Sequence, residues 1–472
     1  MNFLSNNKVS SFLFGFIFFS LLISLGSFPD LNNYNFNSII QFDLKIINFF
    51  RKNLILIIPI LLIVLFFNSD YKNLKISKIN KLFFIYILSQ LIFLFYRYFF
   101  DKNIFLEFNF HIHFIYCSML VIFLFIILEN QNNRKIYLNF FYIICLLIFL
   151  IIFVTKSFFP FKTYLYDSFF SFGENKLNNF INFIINSNGL GRYHILAFFL
   201  FYYLFLNQIY LNNFKKIFFF FSISVFFAIN VLKFDSRFLF LALIVGSLLI
   251  LIFSRIELKK KLIVFFVFYP ITFISFQGLN QLSDIKINSL RIYMLQGELI
   301  RYHNVIIKKE DDKRYHNQET PNIVNNGYSK LNFFTTGRVE KWSYLLNYSL
   351  KNYFLGFAPE YDRDILIQKN KSYAGNDAAN GLIYALISSG FIGVIVYLTL
   401  FYNFIKKIYA LFLLKKLINF ENVCLDICII FNGVLLFRSF FENGFMSWNF
   451  DFILSIFCLN YIFLFSKDSY NH

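Results

Sequence analysis

Asn380–Phe404 reads NGLIYALISSGFIGVIVYLTLFYNF and contains no Asp, Glu, Lys or Arg. As a helix it exceeds the roughly 20 apolar residues needed to cross a bilayer. Stretches of similar character lie at 11–28, 52–67, 81–100, 110–128, 136–154, 193–211, 216–233, 237–253, 261–279, 423–441 and 449–465. With 380–404 they number about twelve. The pattern predicts an all-α polytopic membrane protein of about 12 transmembrane helices with one large, partly helical extracytoplasmic loop. The first stretch reads as a span, since only Lys8 precedes it and no small-x-small cleavage site follows Phe28.

Composition agrees. Of the 472 residues 58% are hydrophobic and 15% charged, with a mean hydropathy of +0.60. Soluble domains carry roughly 45–50% apolar and about 25% charged residues, so a soluble enzyme, a disordered regulator and a coiled coil are excluded. The net charge of +18 is dispersed between apolar segments and forms no single stripe, which argues against a nucleic-acid partner. Phe 76 and Tyr 30 are enriched together with Ile, Asn and Lys, as an AT-rich coding sequence would give. No individual Phe is therefore read as a stacking platform. Cys117, Cys145, Cys424, Cys428 and Cys458 all fall in apolar stretches and read as buried reduced thiols.

Lysine and arginine positions set the orientation. A cytoplasmic N-terminus puts Lys72, Lys75, Lys78 and Lys81 inside, along with Arg134 and Lys135, and Lys215 and Lys216. It does the same for Arg255 with Lys259–Lys261, and for Lys406, Lys407, Lys415 and Lys416. Both termini are then cytoplasmic. The chain divides into an N-terminal transmembrane bundle of about nine spans over 1–279, a large extracytoplasmic (periplasmic) loop over 280–378, and about three C-terminal spans over 379–472. A smaller outer loop runs over about 155–192.

Within the large loop, Thr335 or Thr336 can cap a helix from Gly337 to Phe354 that stops near Gly356. Val339, Trp342, Leu346, Leu350 and Tyr353 recur at helical spacing, predicting one apolar face laid on the bundle or the membrane interface. Lys308–Lys330 is polar and turn-rich, and its His316 reads as solvated.

No nucleotide-binding or metal motif occurs: GxxxxGK[ST], GxGxxG, HExxH and CxxC are all missing. No cofactor is expected, so the free energy of any reaction must arrive with the substrate. The informative feature is arginine at the outer ends of spans. Arg97 closes the third, Arg192 and Arg237 open the sixth and eighth, and Arg438 lies in the last outer turn of the eleventh. A guanidinium at that depth is costly unless it snorkels or meets an anion. A lipid phosphate or pyrophosphate suits its bidentate fork. Asp235 and Glu442 are spaced to pair with Arg237 and Arg438, and Asp377 is placed to cap the tenth span. Asp30 follows the first span. His303 lies near Arg301, His194 follows Arg192, and His111 and His113 begin a span. Any of these imidazoles has a suitable pKa for a general base, although a lone interfacial histidine is more often structural.

Several elements together resemble the O-antigen polymerase and O-antigen ligase family. They are Asn188-Gly-Leu-Gly191 before a span, Asp235-Ser-Arg237, Thr336-Gly-Arg338 with Trp342 and then Leu355-Gly356, Asn380 followed by Gly390-Phe-Ile-Gly393, and Arg438-Ser-Phe-Phe-Glu442. The likeness covers roughly residues 180–445, and the order of the elements carries it. One departure stands out: Ala379 precedes Asn380 where the ligase pattern has its functional histidine. The resemblance therefore implies a polymerase-like member.

What it implies is a metal-independent glycosyltransferase of surface-polysaccharide or lipopolysaccharide synthesis in the bacterial inner membrane. The substrate would be a polyprenyl-pyrophosphate-linked (undecaprenyl-type) glycan among membrane lipids, with room for a chain-length regulator. Catalytic roles are expected for Arg237, Arg338, Asp377 and His303, and pyrophosphate binding for Arg97, Arg192 and Arg438. Asp235, Glu340, Asn380 and Glu442 are expected to support them. Competing expectations are an O-antigen ligase, a polyprenyl-phosphate-sugar glycosyltransferase using Asp30 as base, and a polysaccharide flippase. The single large loop and the lack of Gly/Pro-broken segments paired between two halves count against a carrier.

Overall fold

Apolar stretches of this length satisfy their backbone only as helices or closed barrels, and helices are what form. The computed structural model describes residues 13, 16–17, 58–63, 76–100, 119–120, 122–124, 126, 187–233, 237–282, 338–350, 356–359, 361–368, 378, 380–413, 418, 420, 422–441 and 450–468. About 90% of these are helical and none lies in a strand. The predicted spans at 11–28, 52–67, 110–128 and 136–154 fall largely outside the described residues.

The main helices are α1 (Lys78–Phe100), α2 (Ser187–Tyr210), α3 (Phe214–Lys233), α4 (Arg237–Leu241), α5 (Ser247–Phe253) and α6 (Leu258–Leu282). They continue with α7 (Arg338–Ser349), α8 (Tyr361–Gln368), α9 (Gly381–Leu413), α10 (Val423–Ser439) and α11 (Phe450–Asp468). Lys78–Arg97, Phe214–Leu232 and Gly381–Leu413 are long and apolar enough to cross a membrane. His194–Tyr210, Leu239–Phe253 and Asp451–Leu464 are shorter apolar helices. Large apolar side chains such as Phe214, Phe218, Phe266, Ile274 and Tyr402 are exposed, the kind of apolar surface that marks a membrane or partner contact.

The stretch 237–253 is not one regular helix. A π-turn at Ala242–Gly246 joins α4 to α5. Gly246 meets the Phe199 ring there, and a Cβ would come within 2.5 Å of it. A π-turn re-aims the helix where close packing demands it.

Two ends of the bundle are defined by contacts. At one, the backbone N–H of Arg255 donates to Ile418 O, and Lys260 Nζ donates to Asn212 Oδ1 at 2.9 Å. Asp426 accepts from Tyr203 Oη (2.9 Å) and from the Phe420 N–H (3.0 Å). Among the described residues, Lys215, Lys216 and Lys259–Lys261 lie at this lysine-rich end. The opposite end carries α7, α8 and the arginine-bearing helix termini.

The core is dense with aromatic pairs, such as Phe198 with Tyr202 (5.4 Å) and Tyr202 with Phe268 (5.0 Å). Cys424, Cys428 and Cys458 are buried free thiols, as expected. Polar pairs bind α10 to α11: Ser455 Oγ donates to Asn432 Oδ1 at 2.7 Å. Another buried set ties α11 to α1, with Asn460 Nδ2 donating to Asn80 Oδ1 at 2.7 Å. Such bonds glue helices where the surroundings offer no water.

The span centred on 380–404 extends to Leu413 and is interrupted. Gly390 sits at φ 57°, ψ −149°, a backbone region essentially confined to glycine. Its N-cap is Asn380, whose Oδ1 accepts the Leu382 and Ile383 N–H groups at 3.0 Å each. The expected cap, Asp377, lies outside the described residues. A carboxamide serves the cap as well as a carboxylate does.

Candidate functional site

Three helix termini converge at the arginine end. Arg192 lies near the start of α2, Arg438 in the last turn of α10 and Asp451 in the first turn of α11. Arg192 Nη1 is 3.6 Å from Asp451 Oδ1, and Arg438 Nη1 ion-pairs with Asp451 Oδ2. All three are buried, at 2%, 4% and 1% exposure respectively. The α10 dipole favours the cation at its C-terminus, and the α11 dipole favours the carboxylate at its N-terminus. Arg192 gains no such help at an N-terminus, and Asp451 is one anion set beside it. The described cluster holds two guanidiniums to one carboxylate, in surroundings that amplify every charge interaction.

His194, two residues beyond Arg192 on α2, is buried with its ring 6.2 Å from Phe227. Asn380 joins the same neighbourhood, its Nδ2 donating to Phe440 O (2.9 Å), two residues beyond Arg438. The start of α9 is thereby fixed to the end of α10.

The loop layer is built on the first part of α9. Trp342 Nε1 donates to Ala378 O at 2.8 Å, and Asp362 Oδ2 accepts the Ala378 N–H at 2.6 Å. A separate core of Leu345, Ile365, Leu366, Ala378, Ile383, Tyr384 and Ile387 unites α7, α8 and the first part of α9. The guanidinium carbon of Arg97, at the end of α1, stands 3.5 Å from the centroid of the Tyr361 ring. Tyr361 in turn stacks on Phe357 at 5.0 Å.

The structure brings Arg192, Arg438 and Asn380 into one neighbourhood and sets Arg97 against the loop layer. Arg237 opens α4, while Arg338 and Glu340 lie in the first turn of α7; where their side chains point is outside the described structure. His303, Asp377, Asp235 and Glu442 lie outside the described residues, as do the pairings expected for the last two.

The expected loop helix forms at Arg338–Ser349, but its packed face is displaced. Lys341, Leu345 and Ser349 are the buried positions, whereas Leu346 is 37% and Leu350 58% exposed. Leu345 inserts between α8 and α9, so the apolar pattern misplaces the face by one residue. The short helix α8 was not expected, and neither was Asp451. A carboxylate inside the apolar stretch 449–465 was the available signal, since an acid there must find a cation.

No protein-family model, curated protein or solved structure matches this chain.

Proposed function

We propose that the chain is a polytopic inner-membrane glycan polymerase that joins polyprenyl-pyrophosphate-linked oligosaccharide units at its outer face. The full reading has about twelve spans, cytoplasmic termini and the arginine end outward. The observation that carries it is the meeting of Arg192 and Arg438 on Asp451. Two guanidiniums preorganised on a shared carboxylate present the planar forks that a diphosphate accepts.

In the proposed reaction a sugar hydroxyl of the incoming unit attacks the anomeric carbon of the growing chain. The bond to the pyrophosphate breaks, the leaving group takes the electron pair, and a base takes the hydroxyl proton. Arginine stabilises the departing charge, with Arg97, Arg237 and Arg338 as further candidates. Asp377 and His303 are the candidate bases. The glycosyl-diphosphate bond supplies the free energy.

The test is complementation of a strain lacking its polysaccharide polymerase, paired with reconstitution of the purified chain and lipid-linked oligosaccharide. Products lengthen in steps with the intact chain, and Arg237→Ala and Arg338→Ala shorten them. Unchanged chain length in both variants refutes the roles. Transfer to a different lipid acceptor identifies a ligase, and translocation without lengthening identifies a transporter.

A further inference from the structure

We propose that the α2–α3 turn and the start of α6 together bind an anionic phospholipid. Its phosphodiester meets the lysines at the rim, and its acyl chains lie on the apolar faces of α3 and α6. What carries this is lysine at positions a helix disfavours. Lys215 and Lys216 stand in the first turn of α3, Lys259 and Lys260 in that of α6, and neither turn holds an acid. A cation at a helix N-terminus opposes the macrodipole. α10 starts at the same end and does the opposite, with Asp426 in its first turn. Residues 211–220 and 254–263 together hold six basic residues against one acid, Glu257. Clustered cations beside spanning helices are what anionic headgroups recognise, and helix N-termini add to the attraction for phosphate.

The two helix starts form one surface. Lys260 Nζ donates to Asn212 Oδ1 in the α2–α3 turn at 2.9 Å. The turn itself is closed by the Leu211 and Asn213 N–H groups, which donate to Asn207 O and Gln208 O at 3.0 Å each. Lys261 Nζ folds back onto Ile252 O at 2.6 Å. Those two ammoniums are held, whereas Lys215, Lys216 and Lys259 are exposed. Deeper along the pair, Phe221 of α3 meets Phe268 of α6 edge-on at 5.9 Å. Phe218 and Phe219 on α3, and Leu262 and Phe266 on α6, are exposed one to two turns below the lysines. Cations above uncovered hydrocarbon complement an anionic phospholipid along its length, and lysine stems can lie on that hydrocarbon while the ammonium reaches the headgroup. A free phosphate would meet the lysines and none of the apolar face, so the occupant is a lipid.

Native mass spectrometry of the full chain, released from micelles holding equal amounts of phosphatidylglycerol and phosphatidylcholine, tests the site. The intact chain should retain phosphatidylglycerol in preference by roughly tenfold or more. Lys215→Gln with Lys216→Gln and Lys259→Gln should lower that ratio by roughly twofold to fivefold for each lysine lost. Arginine at the same three positions should keep it. Lys78→Gln with Lys81→Gln and Lys406→Gln removes the same charge from exposed lysines elsewhere and should leave the ratio unchanged. Equal loss in the two glutamine triples, or no preference in the intact chain, overturns the site.

Thermal unfolding of the unmodified chain gives a readout that needs no variant. Phosphatidylglycerol should raise the midpoint, while phosphatidylcholine and inorganic phosphate should not. The gain should vanish as salt shortens the screening length from about 10 Å at 0.1 M to about 3 Å at 1 M. A gain from inorganic phosphate alone, or one that survives the salt, also overturns the proposal. Neither measurement involves glycan transfer, so this site stands or falls apart from the polymerase reading.

Discussion

The guanidinium of Arg97, closing α1, lies 3.5 Å from the centre of the Tyr361 ring on α8, so one cation–π contact links a candidate span directly to the loop layer. Partly desolvated contacts of this kind contribute about 0.5–2 kcal/mol. Tyr361→Phe keeps the ring and should cost little in thermal stability, while Tyr361→Leu should cost more. A double-mutant cycle of Arg97→Ala with Tyr361→Leu should return a coupling in the same range. Additive effects would show that the stacking carries no free energy.

Asp451 is the residue on which the arginine end turns. Asp451→Asn leaves Arg192 and Arg438 buried without its charge and should lower stability by about 3–5 kcal/mol. Replacing all three with apolar residues (Arg192→Met, Arg438→Met, Asp451→Leu) should recover most of that loss, because the desolvation cost leaves with the charges. Under the proposed function the recovered protein still makes no polymer. Thermal unfolding in detergent and polysaccharide length on gels read the two outcomes. A stable, active triple variant would remove the cluster from the mechanism.

At Ala358 the strain can be relieved directly. With φ at 90°, Ala358→Gly should raise stability by about 1 kcal/mol, the gain being partly offset by a freer unfolded chain. Gly390→Ala acts in the opposite sense and should destabilise by about 1–3 kcal/mol. Melting curves of both variants check the pair, and equal effects of the same sign would contradict these backbone conformations.

Helix content was legible because an uninterrupted apolar run offers its backbone no other solution. Asn380–Phe404 announced α9 on that ground alone. Rim arginines were legible for the same reason, since charge at the edge of such runs needs a partner. What the sequence concealed was which partner. Asp235 and Glu442 are near neighbours along the chain, so local spacing favoured them, whereas Asp451 reaches Arg192 only after α2 and α11 pack. The break at Gly390 was hidden too: a glycine in an apolar run looks like a packing contact until a tertiary partner, here Gly356, shows why the helix opens. The packed face of α7 was misread because Leu345 and Leu346 are equally apolar and only α8 chooses between them.

The lysine-rich end depends on Asp426, which accepts hydrogen bonds from Tyr203 Oη and the Phe420 N–H. The loop it holds places Ile418 at φ 50° and Phe420 at φ 63°, conformations bulky residues adopt only when the surroundings impose them. Tyr203→Phe removes one donor to a buried carboxylate and should cost about 1.5–3 kcal/mol. Asp426→Asn keeps an acceptor for Phe420 and should cost less than Asp426→Ala, which frees the loop as well. Limited proteolysis distinguishes them: cleavage near 418–422 should appear in Asp426→Ala and stay slow in Asp426→Asn. Equal cleavage in both would mean that the backbone, and not the carboxylate, fixes the loop.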